Sequence, residues 1–128
     1  MIRIKEEIYM DMLKHCINCF PLEACGLLAG KKEITEIYKI KNIEPSSTSF
    51  FFDPLEQLKA FKDIKAKGIE MLAVFHSHPF GDAYPSFKDI ELACYDVYHI
   101  IIAIKPQLSV RCFTIKEGVV KEVELDIV

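Results

Sequence analysis

IEMLAVFHSHPFGDAYPSFKD, residues 69–89, decides how this chain reads. Residues 69–75 are almost continuously apolar, as in a strand buried on both faces of a sheet. The composition then changes. Residues 76–85 hold two prolines, a glycine and an aspartate, so they read as a loop, with Pro79 breaking the strand. Ser86 opens a helix whose Ile90, Ala93, Cys94 and Val97 share one face. A continuous apolar strand follows at residues 99–104.

Upstream, residues 6–20 carry Ile8, Met12, Leu13, Cys16 and Phe20 at helical spacing, and Pro21 ends that helix. Residues 24–29 are small and apolar, a buried strand that turns at Gly30 into a half-exposed strand at 34–40. Residues 42–49 contain several serines and Pro45 and form a loop, and 50–52 a short strand. Asp53 is a good N-cap, Pro54 suits the first helical position, and Glu56 completes a capping-box pattern. That second helix presents Leu55, Leu58, Phe61 and Ile64, and Gly68 caps its end. Downstream, Pro106 and Gln107 mark a turn, 110–115 a strand, and Glu117-Gly118 another turn. One last strand runs from Val119 onward, Val123, Leu125 and Ile127 alternating with acidic residues. There is no internal repeat or linker. The expectation is one α/β domain over residues 1–128, with a mixed β-sheet packed against helices.

Composition narrows the function. Hydrophobic residues make up 51% of the chain and charged ones 27%, the balance of a globular protein. A net charge of -3, with no Lys/Arg run, argues against nucleic acid. No apolar run approaches the ~18 residues that would suggest a membrane span. The start, MIRIKEEIYM, lacks the apolar core of a signal peptide, so a soluble cytoplasmic protein is expected. Five cysteines are an odd number and suggest no disulfide framework. Cys16 and Cys19 read as core or half-exposed residues of the first helix. The high apolar content admits a homodimer.

Chemistry concentrates between residues 76 and 89. In extended backbone, alternate side chains point the same way, so His76 and His78 can aim at one point, as zinc ligands must. Ser86 and Asp89 are neighbours on one helical face, and Asp89 offers a third, anionic ligand. Two histidines and a carboxylate leave the fourth tetrahedral position open, the arrangement of catalytic zinc. The bland reading is that Ser86-x-x-Asp89 only caps a helix, that Asp82 is solvated, and that His15 and His99 are satisfied core residues. Glu23 lies between Pro21 and an apolar strand, where an unpaired carboxylate is costly unless it meets a water held by a metal. The bland alternative is an exposed glutamate at a helix–strand junction. Ser77 should point away from the metal, Cys25 is a weak fourth candidate, and Phe80 and Tyr84 are candidates to line a substrate groove.

These residues together resemble the JAMM/MPN+ metallopeptidases, whose motif is an upstream glutamate and then H-[ST]-H-x(7)-S-x-x-D. His76-Ser77-His78, seven intervening residues, Ser86 and Asp89 match it without a gap. Pro79 and Pro85 stand where members commonly have proline, and residues 21–30, PLEACGLLAG, resemble the segment bearing the catalytic glutamate. Phe52-Asp53-Pro54 is also similar. The resemblance implies a cytidine-deaminase-like α/β fold, with Zn2+ on His76, His78 and Asp89. It implies that Glu23 is the general base for a zinc-activated water and that Ser86 donates to the oxyanion. The family hydrolyses amide or isopeptide bonds, typically after the Gly-Gly tail of ubiquitin or its relatives. A chain this compact is similar to stand-alone prokaryotic members that process ubiquitin-like or sulfur-carrier proteins. Two other readings are a non-catalytic MPN-type scaffold, disfavoured because every ligand is present, and a zinc hydrolase of cell-wall or phage-associated peptides. Nucleobase deamination requires H-x-E and P-C-x-x-C, and both are absent.

Overall fold

The computed structural model describes residues 1–128. Its elements run β1 (Ile2–Ile4), α1 (Glu6–Cys19), β2 (Cys25–Gly30), β3 (Ile34–Ile40), α2 (Pro54–Ala66), β4 (Glu70–Phe80), α3 (Phe87–Leu92), β5 (Tyr98–Lys105), β6 (Ser109–Lys116), β7 (Val119–Val123) and β8 (Leu125–Ile127). All eight strands join one mixed sheet in the order β7-β6-β5-β4-β2-β3-β1-β8. The order puts β7 and β8 at opposite ends, yet only Glu124 separates them in the chain. One residue reaches about 3.5 Å, whereas seven strand spacings of about 4.8 Å would separate the edges of a flat sheet. The sheet must therefore curl nearly into a barrel. Its concave face closes on α1: Met12 and Cys16 sit with Ile2, Ile4, Leu28, Ile34, Ala73, Phe75, Ile100, Ile102 and Cys112, and Val123 and Leu125 pack on from the last two strands.

Alternation along the central strands puts the next residues on the convex face. Leu27, Ile40 and Val74 meet Ala60 of α2, while Ile101, Ala103 and Phe113 are covered by Ala83 of the loop after β4. The functional residues occupy the gap between these two covers. Gly26 makes room for the ring of its cross-strand partner, because a Cβ there would collide with the Phe75 ring and the Tyr38 carbonyl.

Several local expectations give way to tertiary structure. β4 does not stop at Phe75 but runs through both histidines to Phe80. Pro79 is tolerated because β2 bonds β4 no further than Ser77, which leaves an edge on the side where the missing N–H would point. α2 buries Ala60 and Ile64, while Leu55 and Leu58 are 70% and 48% exposed. A run spaced by three drifts around a 3.6-residue helix, so Leu55 and Ile64 end on opposite sides. Asp53 caps α2 through Leu55 N, but Glu56 bonds the Lys41 N–H and closes no capping box, because the Asp53 N–H is taken by the Lys41 carbonyl. α3 ends at Leu92, so Ala93, Cys94 and Val97 lie beyond it, and Tyr95 and Val97 pack toward the α2 cluster. Residues 50–52 form a single bridge, Asn42 to Phe52, and the final strand divides at Glu124. β1 is an addition, three residues too short to show a period. Cys16 is buried and Cys19 half-buried in α1. No helix is long and apolar enough to cross a membrane.

Candidate metal centre

Three side chains converge on the convex face of β4. His76 and His78, two apart in the strand, bring their Nε2 atoms within 3.1 Å of each other. Each also faces Asp89 Oδ2, at 3.1 Å from His76 and 3.0 Å from His78. Tetrahedral zinc with bonds of ~2.0–2.1 Å sets its ligand atoms ~3.3 Å apart, so these residues fit a zinc ion with little adjustment. The His78 Nδ1 lies 2.8 Å from the Asp82 carbonyl and donates to it, so Nε2 alone faces the cluster, where it donates to Asp89 while protonated and would offer its lone pair to a metal once that proton leaves. The backbone of Asp82 contributes here, and its side chain is exposed as expected, so residue type carried no signal for this contact.

Asp89 is held by the start of α3. Its Oδ2 accepts the Ser86 N–H at 2.9 Å, and its own N–H donates to Ser86 Oγ at 3.1 Å, a closed capping box. Capping and ligation are thus one arrangement: the box that starts the helix also aims the carboxylate. Ser86 is exposed at the rim, with its hydroxyl proton still available to donate.

The charges suit a dication. Burial works to raise the Asp89 carboxyl, but hydrogen bonds from His76 and His78 overcome it and hold the group well below the carboxylate range. Burial lowers His76, keeping it neutral and able to ligate. Burial is the largest influence on His78 and opposes its charge, but the hydrogen bonds to Asp89 and to the Asp82 carbonyl, with the nearby Asp89 and Glu23 carboxylates, together outweigh it and raise the ring's pKa.

Glu23 is only 4% exposed, and its Oε1 has no hydrogen-bond partner. It is therefore not an exposed junction residue. Burial pushes its carboxyl up to about 8, with His78 working against the shift and Asp89 adding to it. Its place beside the histidines is set by Ser77, which does point away from the metal. The Ala24 N–H donates to Ser77 Oγ at 2.8 Å, and the Ser77 N–H donates to the Ala24 carbonyl at 3.0 Å. This continues the ladder one step past Cys25 and His76, bringing Glu23 alongside His78. Cys25 donates its thiol to the Ile40 carbonyl and stands outside the cluster of metal-ligating atoms.

Other expected residues are placed differently. Phe80 pairs with Phe20, and Tyr84 packs edge-on to Phe113 beneath Arg111, so neither lines the cavity beside the metal ligands. That cavity, about 280 Å³, is walled by Phe50, Val74, Leu92, Tyr95 and Ile101, with His76 and Asp89 at its side. Phe50 stacks on the His76 ring at 4.7 Å and 28°, a contact that a short run of aromatics does not announce. His15 and His99 are less satisfied than expected, since each has a buried Nε2 without a partner.

Comparison with known proteins agrees with this geometry. The family model described as prokaryotic homologs of the JAB domain matches residues 5–116. The chain belongs to this family. A probable TtuB-protein conjugate cleaving protease from Thermus thermophilus is 38% identical over 105 residues, covering 81% of this chain and 69% of that protein. The CysO-cysteine peptidase of Mycobacterium tuberculosis is 28% identical, covering 98% of this chain and 90% of that protein. A solution structure from Desulfitobacterium hafniense superposes with a TM-score of 0.89 at 35% identity, covering 99% of this chain and 92% of the other. With its His–His–Asp cluster in place, this prokaryotic JAB protein is a zinc metallopeptidase of JAMM/MPN architecture.

Proposed function

We propose that this JAB-family enzyme hydrolyses the amide or isopeptide bond that follows the Gly-Gly tail of a ubiquitin-like or sulfur-carrier protein. The observation that carries the proposal is the pairing of a three-ligand zinc site with a buried, unpartnered carboxylate, Glu23, beside it. The names of the Thermus and Mycobacterium relatives, which act on a TtuB–protein conjugate and on CysO-cysteine, support the substrate class. A Gly-Gly tail lets backbone approach a narrow site that bulkier residues could not enter. The catalytic domain lies within residues 1–128, and its free cysteines suit a reducing cytoplasm.

Zinc held by His76, His78 and Asp89 would polarise the scissile carbonyl and make water acidic enough to attack at neutral pH. Glu23 takes the attacking water's proton. A dication beside it would favour the carboxylate form, and burial makes that carboxylate a stronger base than an exposed glutamate. The protonated Glu23 then delivers that proton to the leaving nitrogen. Ser86 Oγ donates its hydrogen to the oxygen on which negative charge develops.

Elemental analysis of the purified protein, beside His78→Ala, tests the site. About one zinc per chain is expected in the wild type and a loss in the variant, since removing one of three protein ligands leaves an incomplete site. A small ubiquitin-like protein joined through its terminal glycine to a lysine or cysteine should be cleaved only by the zinc-loaded wild type. Zinc without cleavage of either conjugate would count against the substrate class, and no zinc at neutral pH would leave a non-catalytic scaffold.

A further inference from the structure

We propose that Asn42 is a positioning residue of this site, holding the backbone of Glu23 and both flanks of Phe50 with a single side chain. The inference rests on reading Glu23 as the base. All four hydrogen-bonding positions of the amide are used. Its Nδ2 donates to the Glu23 carbonyl at 3.0 Å and to the Ser49 carbonyl at 3.3 Å. Its Oδ1 accepts from the Glu44 and Phe51 N–H groups, both at 2.9 Å. Two carbonyls lie on the donor side and two N–H groups on the acceptor side, so a flipped amide would be wrong at every contact.

The consequence follows from what these bonds grip. Glu23 Oε1 has no protein partner, so its direction depends on the backbone that carries it. That backbone is held by the loop that Asn42 organises: the Glu23 carbonyl by Asn42 itself, and the Glu23 N–H by the Ser46 carbonyl at 2.8 Å. The other two contacts bracket Phe50. Asn42 holds the carbonyl just before it, of Ser49, and the N–H just after it, of Phe51. The Phe50 ring in turn lies on His76. One amide therefore links the base to a metal ligand. Asparagine suits the task because it offers two donors and two acceptors on a short stem. Aspartate would keep the acceptors, lose both donors and set a carboxylate against two carbonyls.

The test compares Asn42→Ala, Asn42→Asp, Glu23→Gln and the double variant Asn42→Ala/Glu23→Gln. The probe is a small ubiquitin-like protein with a fluorogenic amide on its terminal glycine, and Co2+ replaces zinc to give a visible spectrum. Both Asn42 variants should lose about 10- to 100-fold in kcat with KM nearly unchanged, the scale seen for groups that orient a metal site from outside. They should bind one cobalt per chain with shifted visible bands, reporting a displaced His76. In the Glu23→Gln background, Asn42→Ala should cost clearly less than it does alone, because the Glu23 arm is already lost and only the Phe50–His76 arm remains. Fully additive losses, or variants with lower thermal stability but wild-type kcat and cobalt spectrum, would overturn the proposal. If Asn42→Ala does not fold, Asn42→Asp, which keeps the two loop bonds to Oδ1, decides by the same readouts. Near-wild-type turnover in Glu23→Gln alone would remove the base. The cobalt spectrum of the Asn42 variants would then decide the Phe50–His76 arm, with unshifted bands ending the proposal.

Discussion

The two faces of β4 differ in almost everything but sequence position. On the concave side, Ala73, Phe75 and Ser77 are fully buried, the first two against α1 and the third bonded to the backbone of Ala24. On the convex side, Val74, His76 and His78 border a cavity, a metal site and a carboxylate with an unpartnered oxygen. One side is filled with apolar side chains and leaves only the His15 Nε2 of α1 without a partner. The other keeps charge, space and unmet hydrogen-bonding capacity. The contrast shows how one strand serves both a core and a polar site: a strand alternates, so stability and chemistry can be assigned to adjacent residues without competing for the same space.

If the faces are separable, mutations on each should move different observables. The largest expected effect belongs to the concave face. Phe75→Ala opens a cavity beneath Gly26 and should cost about 3–5 kcal/mol of stability in denaturant unfolding, with zinc stoichiometry of the folded fraction unchanged. Loss of zinc from protein that remains folded would show that the two faces are coupled.

Glu23→Gln acts on the convex face and should do the reverse. It should keep zinc and lower turnover by about 10²–10⁴-fold, the scale of a general base. It also carries a pH signature in the metal-free protein. The Glu23 carboxyl rises from an ordinary 4.5 to about 8 on folding, so the native state keeps a proton that the unfolded chain releases. This group is neutral in both states below 4.5 and costs stability increasingly as pH rises toward 8. Thermal melts of metal-free protein should therefore show Glu23→Gln gaining on the wild type across that window. A constant difference from pH 5 to 8 would mean that Glu23 titrates like an exposed glutamate.

Ser86→Ala is the finest probe. It removes a cap acceptor and the hydroxyl proposed to face the oxyanion, and should lower kcat by about 10²-fold with a stability loss near 1 kcal/mol. An unchanged kcat would leave Ser86 with its capping role alone.

How far the site was legible depends on the range of each interaction. His76, His78, Ser86 and Asp89 lie within fourteen residues, and the periods of a strand and a helix pair the two histidines and pair Ser86 with Asp89, while the family motif joins the two pairs. Glu23 needed the family motif, since a single glutamate fifty-three residues before His76 carries no spacing signal of its own. Asn42, Phe50 and the Asp82 carbonyl had no signal at all. Their roles lie in hydrogen bonds and stacking to residues distant in the chain, and, for Asp82, in a backbone atom that residue type does not encode.

The fold divides along the same line. Most strands, the positions of three helices and the pairing of the two histidines follow from local pattern, because periodicity and capping act over a few residues. Strand order, the curl that brings β7 and β8 together, the survival of β4 past Pro79 and the burial of Glu23 were decided only in three dimensions. Each depends on which edge is paired and which face is covered, and pairing and burial join residues that the chain keeps far apart.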